Sequence, residues 1–340
     1  MRRIALVAAV LLGGIALREH VQGRVADAEP VGAMPDFSDM VARAEPAVVY
    51  IHTYLSRTRD VPASDDRGAL DEFLGSGFVW QSDGWIVTNR HVVDGAREIL
   101  CHVDGRGWFP ATTRGVDPVA DVALIKIEAT GLPTLPVGNP RALKRGQWVV
   151  AAGSPYRLPR TFTAGIVSGL ERSDVVNPTG YEDYIQTDAA INLGNSGGPL
   201  LDAWGRVVGL NTAILSRSGG NQGIGFAVPI DVVVAAAEQL RTRGSVARPT
   251  LGAVVRPLTP REGVGVPGGM GLLVTRFADE SPARRGGLRE GDVVLRVNGI
   301  PTPSRGVMLR AVWASAGQPV TLDVLRGREM AQVVVQPIVR

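Results

Sequence analysis

The chain has 340 residues, 45% of them apolar and 20% charged, with a formal net charge of +3. Those values exclude a disordered chain and leave room for two or three domains with real cores. The charge excess is small and no aromatic–basic motif accompanies it, so no nucleic-acid partner is expected. A single cysteine, Cys101, excludes an intramolecular disulfide, and no Cys/His cluster has zinc spacing. Neither a metal nor a cofactor is expected. Cys101 lies in the apolar stretch "EILCHV" and reads as a buried structural thiol.

In chain order, "MRR" is a short positive segment and Ile4 to Leu17 is uncharged and apolar. Residues 1–28 therefore read as a signal anchor or a signal peptide. The polar "REH" follows at once, and the small-residue site Ala26-Asp27-Ala28 lies far from the apolar run. An uncleaved anchor is the preferred reading, with cleavage after Ala28 as the alternative. Either way Arg2 and Arg3 stay in the cytoplasm and the bulk of the chain is exported. Export does not require disulfides.

Residues 29–243 read as one domain behind an N-terminal spacer. "SDMVARAEPAVVYIHTYL" predicts a short helix and a strand, and 57–72 a polar loop. Short β-type runs then recur between Gly, Asn, Asp and Pro turns: "GSGFVW", "GWIVTN", "ADVALIKIE", "QWVVAAG", "AGIVSGL", "YIQTDA", "GRVVGLNTAIL" and "IGFAVP". That rhythm predicts a mostly β domain, a barrel or a sandwich. A helix from Ile230 to about Arg241 ends at the C-cap signal Gly244. After the linker "SVARPT", residues 244–340 read as a smaller α+β unit. Ser281-Pro282 is an N-cap followed by Pro at the first helical position. A helix near 304–316 and a closing hairpin follow.

Three residues in this β-rich domain point to nucleophilic catalysis. His91 stands where a strand gives way to a helical turn, Asp121 opens an apolar strand, and Ser196 is surrounded by glycine in "GNSGGP". A serine hydroxyl needs a base to take its proton, and histidine does that near neutral pH. A carboxylate behind the histidine sets its tautomer and stabilises the imidazolium. His–Asp–Ser is a known triad order. His20, His52 and His102 lack comparable neighbours.

"TNRHVV", "DVALIKI" and "TDAAINLGNSGGPL" resemble the catalytic motifs of the HtrA (Deg) family of trypsin-like serine proteases. The C-terminal unit resembles a circularly permuted bacterial PDZ domain, and the whole resembles the DegS type most. This resemblance implies a chymotrypsin-like double β-barrel followed by one PDZ domain. It implies an oxyanion hole from Gly194 and Ser196 with Asn195 between them, and close substrate approach over Gly197 and Gly198. Ile191, Asn192 and Leu193 with Asn211, Thr212 and Ala213 would form an acid-free specificity pocket suited to small or medium aliphatic residues. Asn195 stands where digestive relatives carry the acid that captures a new N-terminus, so activation by clipping is not expected. Loop ordering would take its place, with 171–183 and the serine loop as the switch segments. Thr250, Leu251, Gly252 and Ala253 resemble the loop that holds a peptide's terminal carboxylate, so C-terminal peptides would bind beside the 304–316 helix. The family also implies a homotrimer with Phe37 at its interface. It implies periplasmic work at the inner membrane on unfolded or membrane-associated proteins. A pseudoprotease chaperone and a PDZ scaffold are the alternatives.

Overall fold

Alternation of apolar and polar residues between turn residues produces strands through most of the chain. The computed structural model describes residues 35–55, 71–154, 161–173, 175, 181–214 and 222–340. The signal segment 1–28 lies outside them, as does nearly all of the predicted polar loop 57–72. That loop's last two residues, Asp71 and Glu72, begin a strand. Among the described residues no helix is long and apolar enough to cross a membrane. Two compact units divide the chain, 1–39 and 40–340.

Six antiparallel strands close the first barrel: β1 (Val48–Leu55), β2 (Asp71–Gln81), β3 (Trp85–Asn89), β4 (Ala96–Val103), β5 (Gly107–Asp117) and β6 (Val122–Ile127). Val49, Ile51, Val79, Ile86 and Ile125 fill it. The second barrel contains β7 (Trp148–Gly153), β8 (Thr161–Arg172), β9 (Tyr184–Thr187), β10 (Pro199–Asp202), β11 (Val207–Ile214) and β12 (Gly225–Pro229). Closure removes the strand edges, which is how short half-polar strands become stable. Each of the eight β-type runs read from the sequence contributes to one of these strands. Strand β5 was not legible, because Pro110 and two glycines interrupt its pattern. Cys101 sits on β4 with 0% exposure, and burial pushes its thiol pKa up, so it behaves as a core side chain.

The short helix α1 (Ser38–Ala44) precedes the first barrel, and α2 (Arg90–Val93) follows β3. Helix α3 (Ile230–Arg243) leaves the second barrel and stops at Gly244, whose φ of 77° forms the expected C-cap. Beyond it, β13 (Pro249–Thr250) pairs with β20 (Ile338–Val339). A sheet runs in the order β14 (Ala253–Pro257), β15 (Leu272–Phe277), β16 (Val293–Val297), β18 (Val320–Arg326) and β19 (Glu329–Val335). The short β17 (Ile300–Pro301) pairs with β16. Helices α4 (Pro282–Arg285) and α5 (Arg305–Ala314) pack with this sheet. Ser281 Oγ caps α4 by accepting from Arg284 N at 3.2 Å, as its sequence signature predicted.

One seam joins this C-terminal unit to both barrels. Arg310 of α5 reaches the buried Asp183, which also accepts from Arg141 at 2.9 Å and from the Tyr181 hydroxyl at 2.9 Å. Trp313 of α5 packs on the Tyr181 ring at 4.7 Å, and Arg248 lies over Trp313 at 4.3 Å while pairing with Asp117 of β5. The far end of the predicted switch loop 171–183 is thus buried under α5, and its near end, Glu171–Arg172, belongs to β8. Gly306 allows the closest approach: a Cβ there would overlap the Glu182 carbonyl oxygen.

Gly306→Ala is therefore expected to wedge this seam apart. Alanine favours the helix itself by about 1 kcal/mol, so any loss reports the collision. Overpacking of this kind costs on the order of 1–3 kcal/mol. Faster limited proteolysis near 244–248 and a lower thermal midpoint are expected. Unchanged digestion and midpoint would contradict the tight docking.

Candidate active site

The first barrel supplies two members of the predicted triad from the same end of two neighbouring antiparallel strands. His91 lies in α2, just beyond β3, and Asp121 immediately precedes β6. Asp121 has a φ of 54°, a left-handed conformation that aspartate tolerates better than most residues. Its Oδ2 lies 2.6 Å from His91 Nδ1, and its Oδ1 accepts the His91 backbone N–H at 3.1 Å. An ionised carboxylate only accepts, so Nδ1 carries the ring proton and Nε2 is left as the base. Phe73 of β2 meets the imidazole edge-on, with ring centroids 6.3 Å apart.

Two further residues complete this arrangement: Thr212, expected in the specificity pocket, and Asn89, not singled out in the sequence. Thr212 Oγ1 donates to Asp121 Oδ2 at 2.9 Å. Asn89 Nδ2 donates to Thr212 Oγ1 at 3.1 Å and to the Asp121 carbonyl at 2.8 Å. The carbonyl can only accept, so the Asn89 amide has one sensible orientation. Its donation to Thr212 directs the threonine proton onto Asp121. The polar residue closing the apolar strand in "WIVTN" was the available signal for Asn89.

The second barrel supplies the serine loop. Asn195 N donates to Asn192 O at 3.0 Å, closing a turn with Gly194 at its third position. Gly194 has a φ of 103°, the type II geometry that glycine favours. From Asn195 to Gly198 the N–H groups of 195, 197 and 198 donate to Asn192, Asn211 and Asn195 carbonyls respectively. The N–H groups of Gly194 and Ser196 have no acceptor among the described residues. These are the two donors expected for an oxyanion hole. Ser196 Oγ has no hydrogen bond to His91, and such bonds commonly tighten only with substrate bound.

Gly197 and Gly198 serve a different purpose from the one expected. A Cβ on Gly197 would overlap Ser76 O and Thr88 Oγ1, and one on Gly198 would overlap Ala152 O. They allow the barrels, rather than the substrate, to approach the loop. Asn195 is buried, and its Nδ2 donates to Ala190 O at 3.1 Å.

The expected specificity pocket is only partly assembled from the named side chains. Ile191 is 1% exposed and packs into the second barrel, where it would meet a Cβ on Gly225. Leu193 is 64% exposed beside the serine loop, and Asn192 is half-buried. Thr212 is instead committed to Asp121. The Asn211 amide is committed to the carbonyls of Ala152 and Pro199, at 3.3 and 3.1 Å. The Ala213 side chain lies outside the described residues.

In the C-terminal unit the side chain of Leu251, in the expected carboxylate loop, is 4% exposed and belongs to the core, so only its backbone could face a peptide. Gly252, with a φ of 65°, and Ala253 follow it, and Thr250 Oγ1 accepts the Gly252 N–H at 3.2 Å. β14 is the terminal strand of its sheet, so one edge is open for a peptide strand. Among the described residues no cluster of His, Cys, Asp or Glu could hold a metal ion.

Two six-stranded barrels with a histidine, an aspartate and a glycine-framed serine at their junction define a trypsin-like serine peptidase, here joined to a PDZ domain. The trypsin-like peptidase domain family matches residues 75–210, and the PDZ domain family matches 249–336. The chain belongs to the HtrA-type family of periplasmic serine endoproteases and is itself a serine endoprotease. It is 40% identical over 325 residues to a probable periplasmic DegP-like serine endoprotease of Pseudomonas fluorescens, covering 86% of this chain and 68% of the relative. A DegP-like relative from Halomonas elongata is also 40% identical, over 89% of this chain and 70% of its own. The structure of the HtrA-type protease AlgW with a tripeptide superposes with a TM-score of 0.75 at 34% identity, covering 90% of this chain and 98% of that one. AlgW with a decapeptide gives 0.71 at 34% identity, over 90% and 99%.

Thr212→Val keeps the shape and removes the hydroxyl. A hydrogen bond to a charged group contributes about 1.5–3 kcal/mol, so kcat/KM is expected to fall about 10- to 100-fold. Steady-state peptide hydrolysis measures it, and wild-type turnover would show that Asp121 needs no donor beyond the two from His91.

Proposed function

We propose that Ser196 is the nucleophile, His91 the general base and Asp121 the group that orients and stabilises the imidazolium. The observation that carries this reading is the pair of unused N–H groups at Gly194 and Ser196, in a loop whose neighbouring N–H groups are tied. Ser196 Oγ attacks the scissile carbonyl carbon as its proton passes to His91 Nε2. The carbonyl oxygen becomes an oxyanion held by the two N–H groups. Collapse expels the amine, which takes the proton from His91. Water, deprotonated by the same imidazole, then attacks the acyl-enzyme and releases Ser196.

The chain works in the periplasm in this reading, with 1–28 as an inner-membrane anchor, 29–243 as the protease domain and 244–340 as the PDZ domain. It assembles as a homotrimer through its N-terminal segment, with Phe37 at the interface. It cuts unfolded or membrane-associated proteins after small or medium aliphatic residues, because no acidic side chain lies among Ile191, Asn192 and Leu193. C-terminal peptides add to the open edge of β14, and their effect reaches the protease through α5, which packs on Tyr181 and Asp183. A ligand shifts such an equilibrium only by its differential affinity, and tenfold activation needs about 1.4 kcal/mol.

Ser196→Ala and His91→Ala are each expected to lower peptide hydrolysis by about 10⁴-fold or more, and the double variant by little further. Normal turnover of Ser196→Ala would defeat the assignment. A free-acid peptide should change cleavage of a second substrate while its C-terminal amide should not. Trp313→Ala should bind the peptide without the rate change. If acid and amide both leave the rate unchanged across a broad peptide library, the regulatory role falls. Native mass measurement of the protein lacking residues 1–26 should give three copies, and an active monomer would contradict it.

A further inference from the structure

Ser76 lies in the middle of β2, 0% exposed, with every polar atom engaged. Its backbone N–H donates to Ser196 O at 2.8 Å, and its carbonyl accepts from Thr88 Oγ1 at 2.7 Å. Its hydroxyl donates to Gly194 O at 2.6 Å and accepts from Ser154 N at 2.9 Å. One residue of the first barrel thus holds two carbonyls of the serine loop.

The pattern of those two bonds has a geometric consequence. A peptide unit is a rigid plane, so the chain turns only at its Cα atoms. The plane joining Gly194 to Asn195 is pinned at both ends, by Ser76 Oγ on its carbonyl and by Asn192 O on its N–H. The plane joining Ser196 to Gly197 is pinned likewise, by Ser76 N and by Asn211 O. The N–H of Ser196 belongs to the plane between these two, and the N–H of Gly194 to the plane just before the first. With alternate planes held, the plane carrying the Ser196 N–H keeps only rotation about its own Cα–Cα axis, which the Gly198 N–H on the Asn195 carbonyl restrains at 3.0 Å, and the plane carrying the Gly194 N–H is anchored at Cα194. Rotation of the 194–195 plane would break the Ser76 bond and swing its neighbours.

We propose that Ser76 is the positioning residue of the oxyanion hole, its hydroxyl setting the direction of the Gly194 and Ser196 N–H groups from across the barrel junction. The proposal rests on the assignment of those two groups as the oxyanion donors. In this proposal Ser76 touches no substrate and acts on the reaction through the serine loop. Because its hydroxyl also accepts from Ser154, it joins the start of the segment after β7 to the same lock.

The test uses the full chain with Ser76→Ala, Ser76→Cys and Gly194→Ala. A fluorophosphonate counts competent sites, so turnover is read per labelled serine and partial unfolding drops out. Steady-state kinetics gives kcat and KM, and a peptide boronate reports affinity for a tetrahedral adduct. For Ser76→Ala, kcat per site is expected to fall about 100-fold, as for loss of an oxyanion donor, with KM nearly unchanged. Boronate affinity should weaken by the same factor. Ser76→Cys, a weak donor of similar size, should lie between wild type and alanine, and it carries the test if alanine does not fold. A purely structural role would lower the number of labelled sites and the thermal midpoint but leave the rate per site and boronate affinity intact, which would overturn the proposal. Gly194→Ala separates the two layers: it keeps the N–H but strains a backbone with a φ of 103°, turning that donor while leaving Ser76 in place. If rate per site and boronate affinity both stay at the wild-type level, the direction of the Gly194 N–H does not matter to the reaction, and the oxyanion assignment falls and this proposal with it. If it loses rate while Ser76→Ala does not, only the role of Ser76 falls.

Discussion

The junction between the two barrels is the constraint on which the rest depends. His91 and Asp121 belong to the first barrel and Ser196 to the second, so no triad exists until the barrels close on each other. Backbone meets backbone there: Ser76 N donates to Ser196 O at 2.8 Å, and Gly197 lies against Ser76 O. A side chain at 197 would force the two halves apart, and one at 198 would push the serine loop off β7 of its own barrel. The glycines of the serine motif are therefore packing residues as much as chemical ones, and the motif cannot vary without moving the base away from its nucleophile.

The same junction supplies the polarity that the site needs. Asp121 receives hydrogen bonds from His91, from its backbone N–H and from Thr212, and Asn89 orders the threonine behind it. Thr212 comes from the second barrel and Asn89 from the first. A buried polar group without a partner is costly, so such a chain of donors holds only when every link is made. This ties the state of the histidine to the registry of the barrels as well as to its local helix.

Charge and aromatic stacking attach the PDZ domain to the barrels. Asp183 is buried, and burial pushes its pKa up against the pull of Arg310 and Arg141. Asp117 and Arg248 form a second largely buried pair. Pairs of this kind add little net stability but penalise a partner's removal strongly, which favours one docking geometry over a loose ensemble. Helix α5 carries both the protease contact and one wall of the expected peptide groove, so the two cannot move independently.

The sequence alone determined the reaction class and the two kinds of domain, and it singled out His91, Asp121 and Ser196 as the proposed triad. Those signals are local: strand periodicity, turn chemistry, a cap at Ser281 and a glycine-rich frame around Ser196. Strand β5 escaped because Pro110 hides its pattern. What only the tertiary structure decided is which residues support the triad. Ser76 meets Gly194 across 118 residues and Asn89 meets Thr212 across 123, and nothing local marks either pair. The bond from Thr212 to Asp121 and the burial of the Leu251 side chain were hidden for the same reason, since a strand or loop residue reveals its facing only when its neighbours are in place. Tertiary structure also turned Gly197 and Gly198 from a substrate surface into a packing seam, because the space beside a glycine belongs to whatever chain the fold brings there.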